Sequence, residues 1–354
     1  ERMPAHQAGS ARYQFSDIVG SSPRMLSAIT KAQLAAAGNS AVLVCGETGT
    51  GKELFVQSIH NAGPRHDKPF IAQNCAALPE TLLEGILFGT AKGAFTGAHD
   101  RPGLFEVAGD GSIFLDEVDA MPMNLQAKLL RTLQEGTVRR IGEARERSAD
   151  VRVLSSTSVN PMAAVEAGSL RRDLFYRLGV IVIEIPPLRD RRDDIPLLVQ
   201  HFVNRYAQQF NVEVRGVSQE VMGIFATYGW PGNVRELQHA IEAAVQLLQG
   251  AFIGVEHLPP HIAAGNAAGP WRMRQGPKQT GVGGEFGAAG EGAGEGGASG
   301  PEGVDLVATL DRVETNMIRR ALSENGGNVS AAARCLALPR QTLQNRMRRL
   351  GINA

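Results

Sequence analysis

Gly46-Glu47-Thr48-Gly49-Thr50-Gly51-Lys52-Glu53 is a glycine-rich octapeptide that ends in a lysine and an acid. It follows the apolar run Ala41-Val42-Leu43-Val44-Cys45 and precedes a helical pattern through His60. A strand, a glycine-rich turn and a helix in that order make a phosphate cradle. The turn's backbone N–H groups and the helix N-terminus face the anion, and the lysine reaches the β/γ-phosphates. The strict pattern has Ser or Thr after the lysine, where a hydroxyl meets Mg²⁺; here Glu53 stands there, and a plain glycine-rich turn is the competing reading. Further along, Gly111-Ser112-Ile113-Phe114-Leu115-Asp116-Glu117 carries two carboxylates at the end of an apolar strand. At such an edge Asp116 can hold Mg²⁺, directly or through water, and Glu117 can polarise an attacking water. A lone Asp-Glu pair can also be no more than a strand end.

Other polar groups sit at the ends of the same kind of element. The strand Phe70 to Asn74 ends on an amide, and Val151 to Ser158 ends on Thr157 and Ser158. Arg171 and Arg177 flank the short helical stretch in Leu170 to Leu178, where a solvated helix face would explain them equally well. Pro186 to Pro196 is a proline-bounded, charged hinge. Beyond it the pattern turns helical over Leu197–Phe210, Gln219–Tyr228 and Val234–Leu248. Arg235 lies in Trp230-Pro231-Gly232-Asn233-Val234-Arg235-Glu236-Leu237, with Asn233 as the expected N-cap of the last long helix.

Composition bounds the rest. The chain has 354 residues, 43% hydrophobic and 20% charged, which suggests a globular protein of two or three domains. Its formal net charge is zero, so any nucleic-acid surface must be local. Cys45, Cys75 and Cys335 share no close spacing and read as reduced core thiols, not as a metal site or disulfide framework. No apolar run approaches the ~20 residues of a membrane span and no signal peptide is apparent, so a cytoplasmic protein without a membrane partner is expected. The polar lead at residues 1–15 leaves room for missing upstream sequence.

Gly93-Ala94-Phe95-Thr96-Gly97-Ala98 places one aromatic ring among small residues, a poor recipe for a packed core and a good one for a shape-changing loop. From about Ala263 to Gly303 the chain is a Gly/Ala-rich tether, with 14 glycines in 265–303. After it come a helical stretch over Asp305–Ser323, a helix Val329–Cys335 capped by Asn328, a turn at Leu336 to Leu338, and a helix Pro339–Leu350. Two short helices around a tight turn make a helix-turn-helix, and eight arginines against four acids over 304–354 supply the local positive charge that phosphate contacts require. A helical hairpin for dimerisation alone is the rival reading.

GAFTGA, the glycine-rich loop ending in Lys52-Glu53, the Asp116-Glu117 strand and the C-terminal helical pair together resemble the bacterial enhancer-binding proteins, the AAA+ activators of sigma-54 RNA polymerase. The likeness runs from about Phe15 to Ile352 apart from the tether. It implies a P-loop AAA+ α/β module, a parallel sheet with flanking helices plus a helical lid, followed by an all-α Fis-type helix-turn-helix domain. The implied boundaries are a lead at 1–15, an α/β ATPase subdomain at 16–186, a lid at 187–262, a linker at 263–303 and the DNA-binding domain at 304–354. Glu53 is usual at its position in that family. The resemblance gives Asn74 the role of a switch that hydrogen-bonds the catalytic glutamate Glu117, and Thr157 with Ser158 the sensor I position, where the family usually has Thr-Asn. Arg171 and Arg177 match fingers that reach a neighbouring subunit's γ-phosphate, and Arg235 matches sensor II. Gly93 to Ala98 match the sigma-54 contact, with Phe95 and Thr96 foremost. In the last helix Arg340, Gln341, Thr342, Gln344 and Asn345 are expected to read bases, and Arg346, Arg348 and Arg349 to meet phosphates. The family turn residue is usually Gly; here it is Ala337. The implied function is an ATP- and Mg²⁺-dependent activator that binds double-stranded enhancer DNA, assembles from dimers into a hexameric ring and remodels the sigma-54 polymerase closed complex. A DNA-binding regulator with a vestigial AAA+ domain is the alternative, and a replication initiator would lack the loop.

Overall fold

The computed structural model describes residues 11–94, 99–264 and, toward the C-terminus, 315, 318–319, 321–322, 325, 328–336, 340–350 and 352. The chain divides into two compact units, Glu1–Gly276 and Pro277–Ala354.

The first unit is built on five parallel strands, β1 (Val42–Cys45), β2 (Phe70–Asn74), β5 (Ser112–Asp116), β8 (Arg152–Thr157) and β9 (Ile181–Glu184), in the order β2-β5-β8-β1-β9. Side chains alternate faces along a strand. Leu43, Ile71, Ile113, Leu115 and Val153 therefore enter one core with α3 (Glu80–Phe88), α4 (Leu104–Ala108), α5 (Met123–Glu135) and α7 (Arg172–Leu178). Val42, Val44, Phe70, Phe114, Leu154 and Ile183 enter the other with α1 (Pro23–Ala36) and α2 (Lys52–Asn61). Burial on both faces is why β1 reads as a continuous apolar run in the sequence. The register Asn74↔Asp116, Leu115↔Ser155 and Cys45↔Thr157 brings the polar strand ends to one edge of the sheet.

Two insertions stand away from this sheet. Gly89–Thr90 (β3) pairs antiparallel with Arg101–Pro102 (β4), closing the base of the GAFTGA loop, and Thr137–Arg139 (β6) pairs with Glu146–Ser148 (β7). A short helix, α6 (Pro161–Glu166), follows β8 and is capped by the Asn160 side chain.

The lid comprises α8 (Ile195–Phe210), α9 (Gln219–Thr227), α10 (Asn233–Gln246) and α11 (Pro260–Ala263), with Gly216–Val217 (β10) paired to Phe252–Ile253 (β11). Its core centres on Trp230, which is fully buried, meets Phe225 and Tyr228 edge-on, and donates its indole N–H to the Phe225 carbonyl at 2.9 Å. The segment before the lid, expected as a charged hinge, is two short 3₁₀ turns anchored by buried charges. Asp194 is 0% exposed and accepts the Ser21 and Ser22 N–H groups at 2.7 Å each, and Arg191, 2% exposed, donates to the Thr50 carbonyl at 3.2 Å.

In the second unit α12 (Val329–Cys335) is capped by Asn328, whose Oδ1 accepts the Ser330 and Ala331 N–H groups, and α13 (Arg340–Arg349) follows. Leu343 and Met347, one turn apart on α13, pack with Ile318, Leu322, Ala332 and Ala333. Cys45 and Cys75 are buried as expected; Cys335 is exposed, because it lies on the solvent side of α12. Among the described residues no helix is long and apolar enough to cross a membrane.

Candidate functional site

The polar strand ends open onto a cavity of about 880 Å³ between the sheet edge and the lid. Thr48 to Phe55, Asn74, Asp116 and Glu117 line it from the α/β side; Leu198, His201, Phe202, Arg205, Arg235 and Gln238 line it from the lid.

The glycine-rich loop is shaped by positions that other residues would not tolerate. Gly49 has φ +82°, and a Cβ there would sit 2.3 Å from the Gly232 carbonyl oxygen. Gly51, at φ +105°, is the N-cap residue of α2. The Thr50 hydroxyl donates to the Glu47 carbonyl at 2.8 Å, closing the loop on itself. Lys52, 9% exposed, donates from Nζ to the Gly46 carbonyl at 2.7 Å and the Glu47 carbonyl at 3.3 Å. Burial holds its pKa below the usual lysine range, against the opposing pull of Asp116, Glu117 and Asp119. Glu53 lines the cavity and accepts a hydrogen bond from Gln57 Nε2 at 2.9 Å.

Asp116 is held on both oxygens. Asn74 Nδ2 donates to Oδ2 at 3.1 Å, and the Ser156 hydroxyl donates to Oδ1. The expected partner of Asn74 was Glu117. The amide meets Asp116 instead because the two residues are paired neighbours on adjacent parallel strands, whereas Glu117 has left the strand with φ +54°. Asn74 Oδ1 is also engaged, accepting the Ala76 N–H at 2.8 Å. Ser156 further accepts the Glu117 N–H at 3.2 Å, so one hydroxyl fixes both carboxylate-bearing residues. Sequence reading missed Ser156 and looked to Thr157 and Ser158. Thr157 is fully buried with its hydroxyl bonded to the Val159 backbone, and neither it nor Ser158 lines the cavity. Asp116 beside a phosphate cradle is an oxygen donor set of the hard kind that suits Mg²⁺, a cation bound by one or two carboxylates together with substrate phosphates and water.

Asn233 is not the N-cap of α10; it is the helix's first residue, with Gly232 at the cap position. Trp230 at φ +48° and Asn233 at φ +52° both occupy the left-handed region, a strained arrangement for non-glycine residues. The turn they form aims the fully buried Asn233 side chain into the phosphate loop, where Nδ2 reaches Glu47 Oε2 and the Thr48 carbonyl at 3.1 Å each while Oδ1 accepts the Leu188 N–H at 2.8 Å. Arg189 grips the same glutamate at 2.7 and 2.5 Å, and this bond holds the Glu47 carboxyl below its usual range. The α10 N-terminus is served instead by Glu236, which accepts the Gly232 N–H at 2.8 Å and the Tyr228 hydroxyl at 3.0 Å. Arg235 lines the cavity, and its backbone N–H donates to the Gly49 carbonyl at 3.2 Å.

Arg171 and Arg177 lie away from this cavity. Arg171 pairs with Asp173 at 2.7 Å, and the exposed Arg177 donates to the Leu133 carbonyl. Of the GAFTGA loop, Gly93 and Ala94 are described; Phe95, Thr96, Gly97 and Ala98 lie outside the described residues. The loop's base is tied to the β6–β7 hairpin through Ala91 N–H to Ile141 O and Ile141 N–H to Gly89 O, both 3.0 Å. Arg140 reinforces this with ion pairs to Asp100 at 2.9 Å and Glu106 at 2.7 Å. Burial pushes Glu106 upward, but Arg140 and the Gly103 N–H outweigh it and hold the carboxyl below its usual range.

On α13, Arg340, Gln341 and Arg346 are exposed, and Thr342 and Gln344 are half-buried. The side chains of Asn345, Arg348 and Arg349 lie outside the described ones, as does most of the tether.

Comparison with known proteins agrees with this layout. Residues 18–184 match the sigma-54 interaction domain, 189–272 the AAA+ ATPase lid domain, and 309–350 the bacterial regulatory protein Fis family. Transcriptional activator RocR of Bacillus subtilis (strain 168) is 42% identical over 353 residues, covering 98% of this chain and 71% of that protein. Regulatory protein AtoC of Escherichia coli (strain K12) is 39% identical over 349 residues, with 98% and 70% covered. Crystal structures of NtrX from Brucella abortus, one in complex with ADP and one with ATP, each superpose with a TM-score of 0.64 at 28% identity, covering 95% of this chain and 69% of NtrX. A phosphate cradle under a helical lid, a matched sigma-54 interaction domain and a Fis-type helical pair, in that order along one chain, make this protein a member of the sigma-54-dependent AAA+ transcriptional activators.

Proposed function

We propose that this protein hydrolyses ATP at the interface between subunits of a homo-oligomeric ring, from a dimer toward a hexamer. The work is used to remodel sigma-54 RNA polymerase at promoters whose enhancers its helix-turn-helix domain binds in double-stranded form. The observation that carries this reading is the convergence of Lys52, Asp116, Glu117 and Arg235 on one cavity roofed by a lid that is pinned to the phosphate loop.

The loop's N–H groups and the N-terminus of α2 receive the phosphates, and Lys52 leaves its carbonyl partners for the β/γ-phosphates. Asp116, pre-oriented by Ser156 and Asn74, would hold the Mg²⁺ that neutralises charge developing on the phosphates. Glu117 polarises the attacking water, and Ser156 keeps its backbone fixed while it does so. Arg171 and Arg177, away from their own subunit's cavity, serve as fingers for a neighbour's γ-phosphate, which makes hydrolysis depend on assembly. Positioning and charge stabilisation supply the catalysis, with no covalent intermediate. Arg235 reports the nucleotide to the lid. The loop from Gly93 to Ala98, anchored at its base to the β6–β7 hairpin, transmits the movement to sigma-54 through Phe95 and Thr96. A cytoplasmic location follows from the partners.

Open-complex formation by sigma-54 polymerase on a matching promoter tests this directly. Opening with ATP and none with a non-hydrolysable analogue is the expected result. Hydrolysis without opening would mean a different partner, and absent hydrolysis by assembled protein would favour a regulator with a vestigial AAA+ domain.

A further inference from the structure

Glu53 stands where the phosphate-loop pattern has a metal-binding hydroxyl, and its carboxylate is engaged in another direction. Its Oε1 accepts from Gln57 Nε2 at 2.9 Å, one helical turn down α2. With its amide nitrogen committed to Glu53, Gln57 presents Oε1 to the chain's N-terminal segment, accepting the Arg12 N–H at 2.7 Å and the Tyr13 N–H at 3.4 Å. One turn further, Asn61 Nδ2 donates to the Ala11 and Tyr13 carbonyls at 3.0 and 2.7 Å. Positions 53, 57 and 61 share one face of a helix, so they form a polar ladder beneath residues 11–13. Gln57 is 8% exposed, a burial that makes its hydrogen-bond partners costly to lose.

The segment held by this ladder is a wall of the nucleotide cavity, which Arg12, Tyr13, Ser16, Asp17, Ile18 and Val19 all line. Its far end is fixed by Asp194 through the Ser21 and Ser22 N–H groups. The strap is thus tied at one end to the helix that carries Lys52 and at the other to the residue that leads into the lid.

We propose that Glu53 is a positioning residue that orients Gln57 to anchor the N-terminal strap across the nucleotide cavity, and that it is not a ligand of the metal. The proposal rests on the reading of this cavity as a nucleotide site. It makes the strap a determinant of nucleotide affinity, and a path by which anything pulling on residues 11–13 reaches the phosphate loop.

The test uses the whole chain, a fluorescent ATP analogue (mant-ATP), and tryptic cleavage after Arg12 followed by mass spectrometry. Glu53→Gln keeps an acceptor for Gln57 but loses the charge a metal ligand would need. It should bind the analogue with wild-type affinity and wild-type half-saturation by Mg²⁺. Glu53→Ala and Gln57→Ala should each bind about tenfold more weakly, with or without Mg²⁺, and be cut faster after Arg12. The exchange Glu53→Gln with Gln57→Glu rebuilds the ladder with the charge moved one turn, and should match wild type in both affinity and protection. A raised Mg²⁺ requirement in Glu53→Gln, or wild-type binding and protection in Gln57→Ala, overturns the proposal. If the wild-type chain failed to bind the analogue, the nucleotide reading itself would fall, and the proposal with it.

Discussion

The Asn233 amide nitrogen and the Glu47 carboxylate stand 3.1 Å apart, joining the first residue of a lid helix to the second residue of the phosphate loop. The same amide takes the Leu188 N–H from the hinge and donates to the Thr48 carbonyl. One buried side chain thus holds loop, hinge and lid in register.

Replacing Asn233 separates its two burdens. Asn233→Gly keeps the left-handed backbone without strain but leaves the Leu188 N–H and the Thr48 carbonyl unpaired, which should cost about 2–3 kcal/mol of unfolding free energy. Asn233→Ala should lose roughly 1 kcal/mol more, because an L-residue without a local hydrogen bond resists φ +52°. Chemical denaturation measures both. A glycine variant as stable as wild type would show that the amide bonds contribute nothing.

The proposed role of Arg171 and Arg177 as fingers in trans predicts complementation. Arg177→Ala should bind nucleotide normally, since Arg177 does not line its own subunit's cavity, yet lose hydrolysis by roughly 10³-fold. Glu117→Gln should be inactive for a different reason. Mixed in equal amounts, the two should recover roughly a quarter of wild-type turnover, the share of interfaces that join an intact Glu117 to an intact Arg177 if fingers act in trans. Full ATPase activity in Arg177→Ala alone would end the assignment.

Much of this was legible in the sequence for one physical reason: groups proposed to meet phosphates sit at strand ends and helix starts, and those positions leave local signatures. The strand, turn and helix around the glycine loop, the place of Asp116 at the end of β5 and the strand Phe70–Asn74 stand where the sequence puts them. What escaped depends on register between strands distant in sequence. Ser156 became the partner of Asp116 and Glu117 because β8 lies beside β5, and Thr157 turned inward because it pairs with Cys45 of β1. Asn233 looked like a cap because Asn before a helical run usually is one; its left-handed backbone, set by the buried Trp230 turn, carried it elsewhere.

His60 gives the fold a pH dependence. It is 2% exposed, with Nδ1 2.9 Å from the Ser112 hydroxyl, and burial together with the nearby Arg152 pushes its pKa down to about 4. The folded form therefore disfavours the proton that the unfolded chain accepts near pH 6.5. Stability is unaffected by this group above pH 6.5 and falls as pH drops from there toward 4. The loss should reach about 2 kcal/mol by pH 5, relative to a His60→Asn variant that cannot titrate. Parallel pH profiles for the two proteins would show that His60 is not the group responsible.

The base of the GAFTGA loop and the β6–β7 hairpin should move as one body. Glu106, held with Arg140 at 2.7 Å, links the helix after the loop to the hairpin. Glu106→Gln removes the charge but keeps the shape. It should leave nucleotide affinity unchanged while lowering promoter opening per ATP hydrolysed. Thr96→Ala, at the proposed contact itself, should abolish opening with hydrolysis intact. Unimpaired opening in Thr96→Ala would show that the loop is not the sigma-54 contact.

On DNA, the two classes of side chain on α13 should separate by salt and by sequence. Arg346→Ala, in the proposed phosphate-contacting group, should weaken binding to every sequence alike and reduce the slope of log K against log salt by about 1. Gln341→Ala, in the proposed base-reading group, should leave that slope nearly unchanged while costing about 1–3 kcal/mol of discrimination at one base pair of the site. Both side chains are exposed whereas Leu343 and Met347 are buried, so neither change removes a side chain from the core that holds the helix in place. Titrations of specific and random duplexes across a salt series measure both effects. If Gln341→Ala lost affinity equally for all duplexes, this face of α13 would be gripping backbone and not reading sequence.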